Sequence, residues 1–190
     1  GYSRLTGEDE EGTHRRVLEL LDFASAQINE TGGKVLRYAG DAILAEFASV
    51  VTAVNTACRI QTELAAKNQP IDENKRVQLR IGINIGDVIE DRGEVYGDGV
   101  NLAARLEAAA PEGGICISAS AHDQIDGKIG FEFSDDGEET FKNIQRPVAV
   151  FRWLPTGDGD LNAKESVRKG SEKPSIAVLA LTNMSNDPEQ

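Results

Sequence analysis

The chain has 190 residues, 39% hydrophobic and 27% charged, with a formal net charge of −12. That length suits one domain of ordinary size with a remainder, and the apolar share suffices for a packed core. No apolar run approaches the ~18 residues of a membrane span, and the negative field disfavours nucleic acid or an anionic membrane as main partner. A small anionic ligand fits only where local cations or metal ions reverse that field. The sequence opens at Gly1 with no signal-peptide pattern, which reads as a processed product or a piece of something longer.

In chain order, residues 8–30 read as a helix, with acids in the first turn to match its dipole and Val17, Leu20, Leu21, Ala24 and Ile28 at helical spacing. Gly32-Gly33 stops it. "KVLRYA" and "AILAEF" then flank Gly40-Asp41, which predicts a tight hairpin with glycine opening the turn. Ser49 is a candidate N-cap for a second helix to about Lys67. "VQLRIGINI", residues 77–85, alternates apolar with polar or small residues and predicts a strand with one face in a core. Gly82 on its other face leaves room for a close backbone or ligand.

A further hairpin is expected at Gly86-Asp87, and a third helix across "YGDGVNLAARLE". "GGICIS" reads as a strand, 118–125 as a short helix, and "FEF" and "VAVFRWL" as late strands. Helices alternating with hairpins point to an α+β sandwich, one mixed or antiparallel sheet with helices against it. Residues 156–173 form a polar linker, and "SIAVLAL" opens a new apolar strand, expected to begin a second domain over 174–190. Cys58 and Cys116, far apart among small or apolar residues, read as buried reduced thiols of a cytosolic protein. His14 and His122 lack ligand spacing and read as surface or capping residues.

Asn101 and Arg105, four apart, stand on one helical face, while Leu102, Leu106 and Ala109 make an apolar stripe on another. Alone, such a pair is the solvated face of a surface helix. Gly40-Asp41 alone is explained by turn chemistry. The fragments together say more. "GYSRL" at 1–5, "AGDAILAEF" at 39–47, "RIGINIGDVI" at 80–89 and "VYGDGVNLAARLE" at 95–107, with "GGICIS" following, resemble the class III nucleotidyl cyclase catalytic domain, bacterial adenylate cyclase branch. The resemblance covers residues 1–155. The tail "KPSIAVLALTNMSNDPEQ" is similar to the opening of a TolB-like module.

This resemblance implies a ferredoxin-like, palm-type fold with a mainly antiparallel sheet. It implies a cytoplasmic homodimer that converts ATP to 3′,5′-cyclic AMP and pyrophosphate in signal transduction, using two Mg²⁺ or Mn²⁺ ions per site. Asn101 and Arg105 match the transition-state pair: the amide orients the ribose and the guanidinium's planar fork neutralises charge on the α-phosphate. Asp41 matches a metal-binding aspartate, and a rigid hairpin tip suits a hard oxygen ligand. Arg80, and the loop with Tyr2 and Ser3, match triphosphate contacts, as do Lys142 and Arg146 in "FKNIQRP".

The chain also departs from the pattern. A further metal-binding aspartate is expected three residues before Gly1, on a first strand cut short here, so these residues alone are expected to turn over substrate poorly. Arg37 stands where adenylate cyclases carry a purine-reading lysine, and Glu94 where an aspartate accepts from the adenine amino group. The donor–acceptor pattern for adenine survives both changes, with altered reach. The alternative is a catalytically degenerate domain serving dimerisation or nucleotide sensing. No nucleic acid and no membrane contact are expected from this segment.

Overall fold

The first helix runs further than its apolar periodicity indicates. In the computed structural model, which describes residues 2–91, 94–155 and 177–183, α1 spans Tyr2–Glu30. The acids at 8–11 therefore lie more than a turn inside the helix, not at its positive end. Val17, Leu20, Leu21, Ala24 and Ile28 are all buried, as their spacing predicts. The end is a Schellman arrangement: Gly32 takes φ +86°, and the Gly32 and Gly33 amides donate to Asn29 and Ile28.

β1 (Lys34–Ala39) and β2 (Ala42–Phe47) form the expected hairpin, with Ala39 opposite Ala42. Gly40 at φ +63° is the first of two loop residues, the position where a type II′ turn requires glycine. α2 (Val50–Asn68) starts at Ser49, whose Oγ accepts from the Thr52 amide at 3.4 Å. β3 (Leu79–Ile85) follows a short 3₁₀ turn at Glu73–Lys75. Beyond it come β4 (Ile89–Asp91), β5 (Glu94–Tyr96), α3 (Asp98–Ala109), β6 (Ile115–Ser118), α4 (Ala119–Ile125), β7 (Ser134–Glu139), β8 (Val148–Trp153) and β9 (Ala177–Asn183).

Among the described residues seven strands make one sheet in the order β1-β2-β9-β3-β6-β8-β7, and only β3 and β6 pair in parallel. The alternation in β3 divides the molecule. Leu79, Ile81 and Ile83 are fully buried in a large core with Ile43, Ala45, Phe47, Ile115 and Ile117, under α1, α2 and α4. Arg80, Gly82 and Asn84 face the other way, toward α3.

Two further sequence expectations change. No hairpin turns at Gly86-Asp87: the chain leaves the sheet there, and the hairpin is β4–β5, a separate two-stranded ribbon. "FEF" is not a strand. Phe131 and Phe133 instead pack on Trp153, at centroid distances of 5.4 and 6.4 Å, and a three-residue alternation is too short to separate the two outcomes. The strand that follows, β7, is an exposed acidic edge, "SDDGEE", whose charge protects it from further pairing. Residues 177–183 form a strand, as the sequence predicts, and pair antiparallel with β2 and β3. The linker residues 156–173 lie outside the described residues.

Candidate active site

α3 is seated by close backbone approaches that only glycine allows. A Cβ at Gly82 would lie 2.2 Å from the Ala103 carbonyl oxygen and 2.2 Å from the Glu107 nitrogen, so the middle of α3 rests directly on β3. At the helix N-terminus a Cβ at Gly86 would meet the Gly99 Cα at 2.7 Å, and Gly97 (φ +143°) abuts the Asp87 carbonyl. Buried Asn84 completes that end: its Nδ2 donates to the Gly99 carbonyl at 3.2 Å, and its Oδ1 accepts from Ser118 Oγ at 2.8 Å.

The other end is held by two arginines. A helix ends with carbonyls lacking intrahelical partners and with partial negative charge, and both call for cations. Arg80 donates to the Ala108 carbonyl at 3.1 Å and pairs with Glu112 at 3.6 Å. Arg152 donates from Nε to the Ala109 carbonyl at 3.0 Å and from its two terminal nitrogens to Asp136 and Glu139. Sequence reasoning did not single out Arg152, Asn84 or Ser118. The available signal was one charged residue in the otherwise apolar "VAVFRW" and one amide in an Ile-rich strand.

Burial of Gly99, Ala103 and Leu106 turns the opposite side of α3 outward, with Asn101 and Arg105 both exposed. An open cleft of about 490 Å³ lies at the helix's N-terminal end, lined by Asn84, Asp87, Asp98, Leu102 and Ser120 among others. A cavity of about 330 Å³ between α1 and α2 lies on the sheet's other face, away from this pair.

Asp41 is the second residue of the β1–β2 loop and is half-buried. Register puts it at the Leu79 end of the sheet, because Ala42 and Arg80 both pair with Thr182. Asn101, by contrast, lies near the Gly86 end. The separation along the strand direction is on the order of 15 Å. Lys142 and Arg146 are exposed in the β7–β8 connection, also at the end away from Asp41. Arg37 is exposed on β1, and Leu36 beside it shares a cluster with Val95 of β5, so the strand that starts at Glu94 packs near Arg37. Tyr2 and Ser3 fall in the first turn of α1 and not in a loop. Arg80 is bonded within the fold, to the C-terminal end of α3.

Among the described residues, no group of three or more His, Cys, Asp or Glu side chains is placed to enclose a metal ion. Asp41 nevertheless fits the way Mg²⁺ is usually held, by one or two carboxylates plus substrate phosphates. Cys58 and Cys116 are both buried thiols outside any disulfide, as expected. Burial pushes the Cys116 thiol up to about 12, against a smaller lowering by Arg152, so it is a neutral packing group.

The fold is an α+β sandwich with a glycine-seated helix that offers an amide and a guanidinium to solvent. Residues 15–152 match the family described as the adenylate and guanylate cyclase catalytic domain, and the chain belongs to that family. It is 40% identical over 198 residues to the putative adenylate cyclase 3 of Rhizobium meliloti, a match covering all of this chain and 33% of that protein. An adenylate cyclase of Streptomyces coelicolor is 29% identical over 126 residues, 66% of this chain and 32% of that one. The chain thus spans about a third of the length of these relatives.

Among solved structures, the adenylate/guanylate cyclase/hydrolase from Silicibacter pomeroyi superposes with a TM-score of 0.73 at 37% identity, over 82% of this chain and 90% of that one. The adenylyl cyclase CyaB from P. aeruginosa shares the fold at a TM-score of 0.67 and 24% identity, over 82% and 89%. Cyclases of this family generally depend on divalent metal and typically dimerise. No helix among the described residues is long and apolar enough to cross a membrane.

Proposed function

We propose that the chain is the catalytic domain of a cytoplasmic adenylate cyclase that closes ATP to 3′,5′-cyclic AMP and pyrophosphate between two copies of itself. The observation that carries this reading is a separation. Asp41 sits at one end of the sheet, while Asn101, Lys142 and Arg146 sit toward the other. One chain does not converge these groups on a single triphosphate, but two chains related by a two-fold axis can, and symmetry then makes two equivalent sites.

The ribose 3′-oxygen attacks the α-phosphorus in line, forming one P–O bond as the bond to pyrophosphate breaks. Exposed Asn101 orients the ribose by hydrogen bonding. Arg105, exposed one turn on, donates to the α-phosphate oxygens as charge grows there. Lys142 and Arg146 are free to approach the β- and γ-phosphates, whereas Arg80, bonded to α3 and Glu112, orients the helix that carries the pair. Arg37 supplies a donor and Glu94 an acceptor for the adenine edge. Two divalent ions, held by Asp41 and the triphosphate itself, would neutralise the leaving group.

A second reading, a nucleotide-sensing or dimerisation module, is favoured by Arg37 in the purine-reading position and by the use of Arg80 within the fold. The deciding assay is Mn²⁺-dependent formation of cyclic AMP from ATP, with GTP in parallel, by the full-length protein that carries this domain. Turnover of ATP that is lost in Asp41→Asn and Arg105→Ala supports the cyclase. Nucleotide binding without turnover supports the sensor.

A further inference from the structure

The exposed strand β7 makes a charged contact with the catalytic-helix side of the sheet, and an irregularity builds it. β7 pairs with β8 at Ser134↔Arg152 and Asp135↔Phe151, then at Glu138↔Ala149 and Glu139↔Val148. Asp136 and Gly137 therefore stand together opposite the single Val150, as a β-bulge. Gly137 takes φ +79°, and its amide donates to Asp135 Oδ1 at 2.9 Å. A Cβ at Gly137 would meet nothing within 4 Å, so the backbone angle, not lack of space, calls for glycine there.

The bulge changes which acids share a face. Asp136 and Glu139 are three residues apart, and in an unbroken strand they would point to opposite sides of the sheet. The extra residue brings Glu139 onto the side of its partner Val148, which packs beneath α3 with Val150 and Leu106. Arg152 alternates onto that side too. Its terminal nitrogens donate to Asp136, at 2.6 Å, and to Glu139. With both ends of the planar fork occupied, Nε is aimed at the Ala109 carbonyl, 3.0 Å away. Ala109 lies one helical turn beyond Arg105. Burial does not enforce this register, because 134–138 are all exposed. The bulge does.

We infer that Arg152 is a positioning residue for the Asn101–Arg105 pair, and that the bulge at Asp136 and Gly137 assembles the two carboxylates that aim it. The effect on turnover rests on the proposed cyclase reading, whereas the hold on α3 does not. In that reading Arg105 meets charge that develops only as the reaction proceeds. Loosening its helix therefore lowers kcat and leaves the KM for ATP nearly unchanged.

Gly137→Val and Gly137→Asn, made in the full-length protein, test both parts. Valine is strongly disfavoured at positive φ, whereas asparagine is accepted there. Gly137→Val should undo the bulge and release Arg152. Amide exchange of residues 105–110, read by mass spectrometry against α2 as internal reference, should then quicken. Its kcat should fall about 10- to 100-fold, with KM within about twofold of the parent. Gly137→Asn should match the parent in both readouts. Arg152→Met should reproduce the valine result, and the double variant Gly137→Val/Arg152→Met should lose little more than either single one, since both remove the same contact.

Unchanged exchange in Gly137→Val overturns the inference. So does faster exchange with kcat intact, a loss confined to KM, an equal loss in Gly137→Asn, or a double variant whose loss is the product of the single ones. A parent that forms no cyclic nucleotide fails the cyclase reading alone, and the exchange comparison then decides whether Arg152 holds the helix.

Discussion

The two faces of the sheet are built by different rules. Under α1, α2 and α4 the contact is mainly side chain on side chain: isoleucines of β3 and β6 interdigitate with leucines and alanines of the helices, and the buried amides Gln61 and Asn68 donate to the Leu79, Gly114 and Val77 carbonyls. Beneath α3 the contact is largely backbone on backbone, arranged by Gly82, Gly86 and Gly99 and pinned at both ends by an amide and two arginines. Apolar packing tolerates small shifts, because methyl groups have no preferred direction. A glycine-seated helix tolerates few, and that rigidity suits the catalytic role proposed for Asn101 and Arg105. One face supplies stability and the other supplies position.

The contrast can be broken most forcefully in the packed face. Ile81→Ala removes a fully buried side chain and should cost about 2–5 kcal/mol, read as a drop in the urea midpoint with little change in slope. On the other face, Gly82→Ala puts a methyl group into the backbone of α3 and should cost about 1–3 kcal/mol. Its signature is an activity loss larger than the stability loss explains, because the helix is displaced and not merely loosened. If Gly82→Ala lowers stability and leaves turnover intact, the seat does not position the pair.

Smaller effects sharpen the same picture. Cys116 faces α3, and its thiol is held protonated from its ordinary value of 9.0 up to about 12. A raised folded value adds stability that is complete below pH 9 and is lost as pH climbs toward 12. Cys116→Ala should flatten the alkaline decline of the urea midpoint relative to the parent, and an unchanged decline would show that the thiol is not buried as described. Removing the Ser49 cap by Ser49→Ala should cost about 1 kcal/mol. Arg105→Ala should change stability least of all, by no more than about 0.5 kcal/mol, because the side chain is exposed.

The packed face was legible in the sequence because burial writes a period. Val17 to Ile28 recur at helical spacing and Leu79 to Ile83 alternate, and each lies where the period puts it. The α3 face was legible only in part. Gly82 marked a close approach, but nothing local shows that the approach is to Ala103 and Glu107, or that Arg80 caps a helix 28 residues on. Long-range backbone contacts leave no periodic trace. For the same reason "SIAVLAL" announced a strand but not its neighbours, since pairing partners are chosen by the whole sheet. Asp41, Asn101 and Arg105 stood out by residue type and spacing, but the placing of Asp41 and Asn101 toward opposite ends of the sheet required the topology.

That distribution is the centre of the account, and mixing two defective variants tests it. Asp41→Asn and Arg105→Ala are each expected to form cyclic AMP about 10²–10³-fold more slowly than the parent. Refolded together in equal amounts, they should recover about a quarter of parental activity, because half the dimers are mixed and each mixed dimer holds one intact site of two. Recovery at that level places the carboxylate of one chain beside the guanidinium of the other. No recovery, with mixed dimers demonstrably present, would contradict the account.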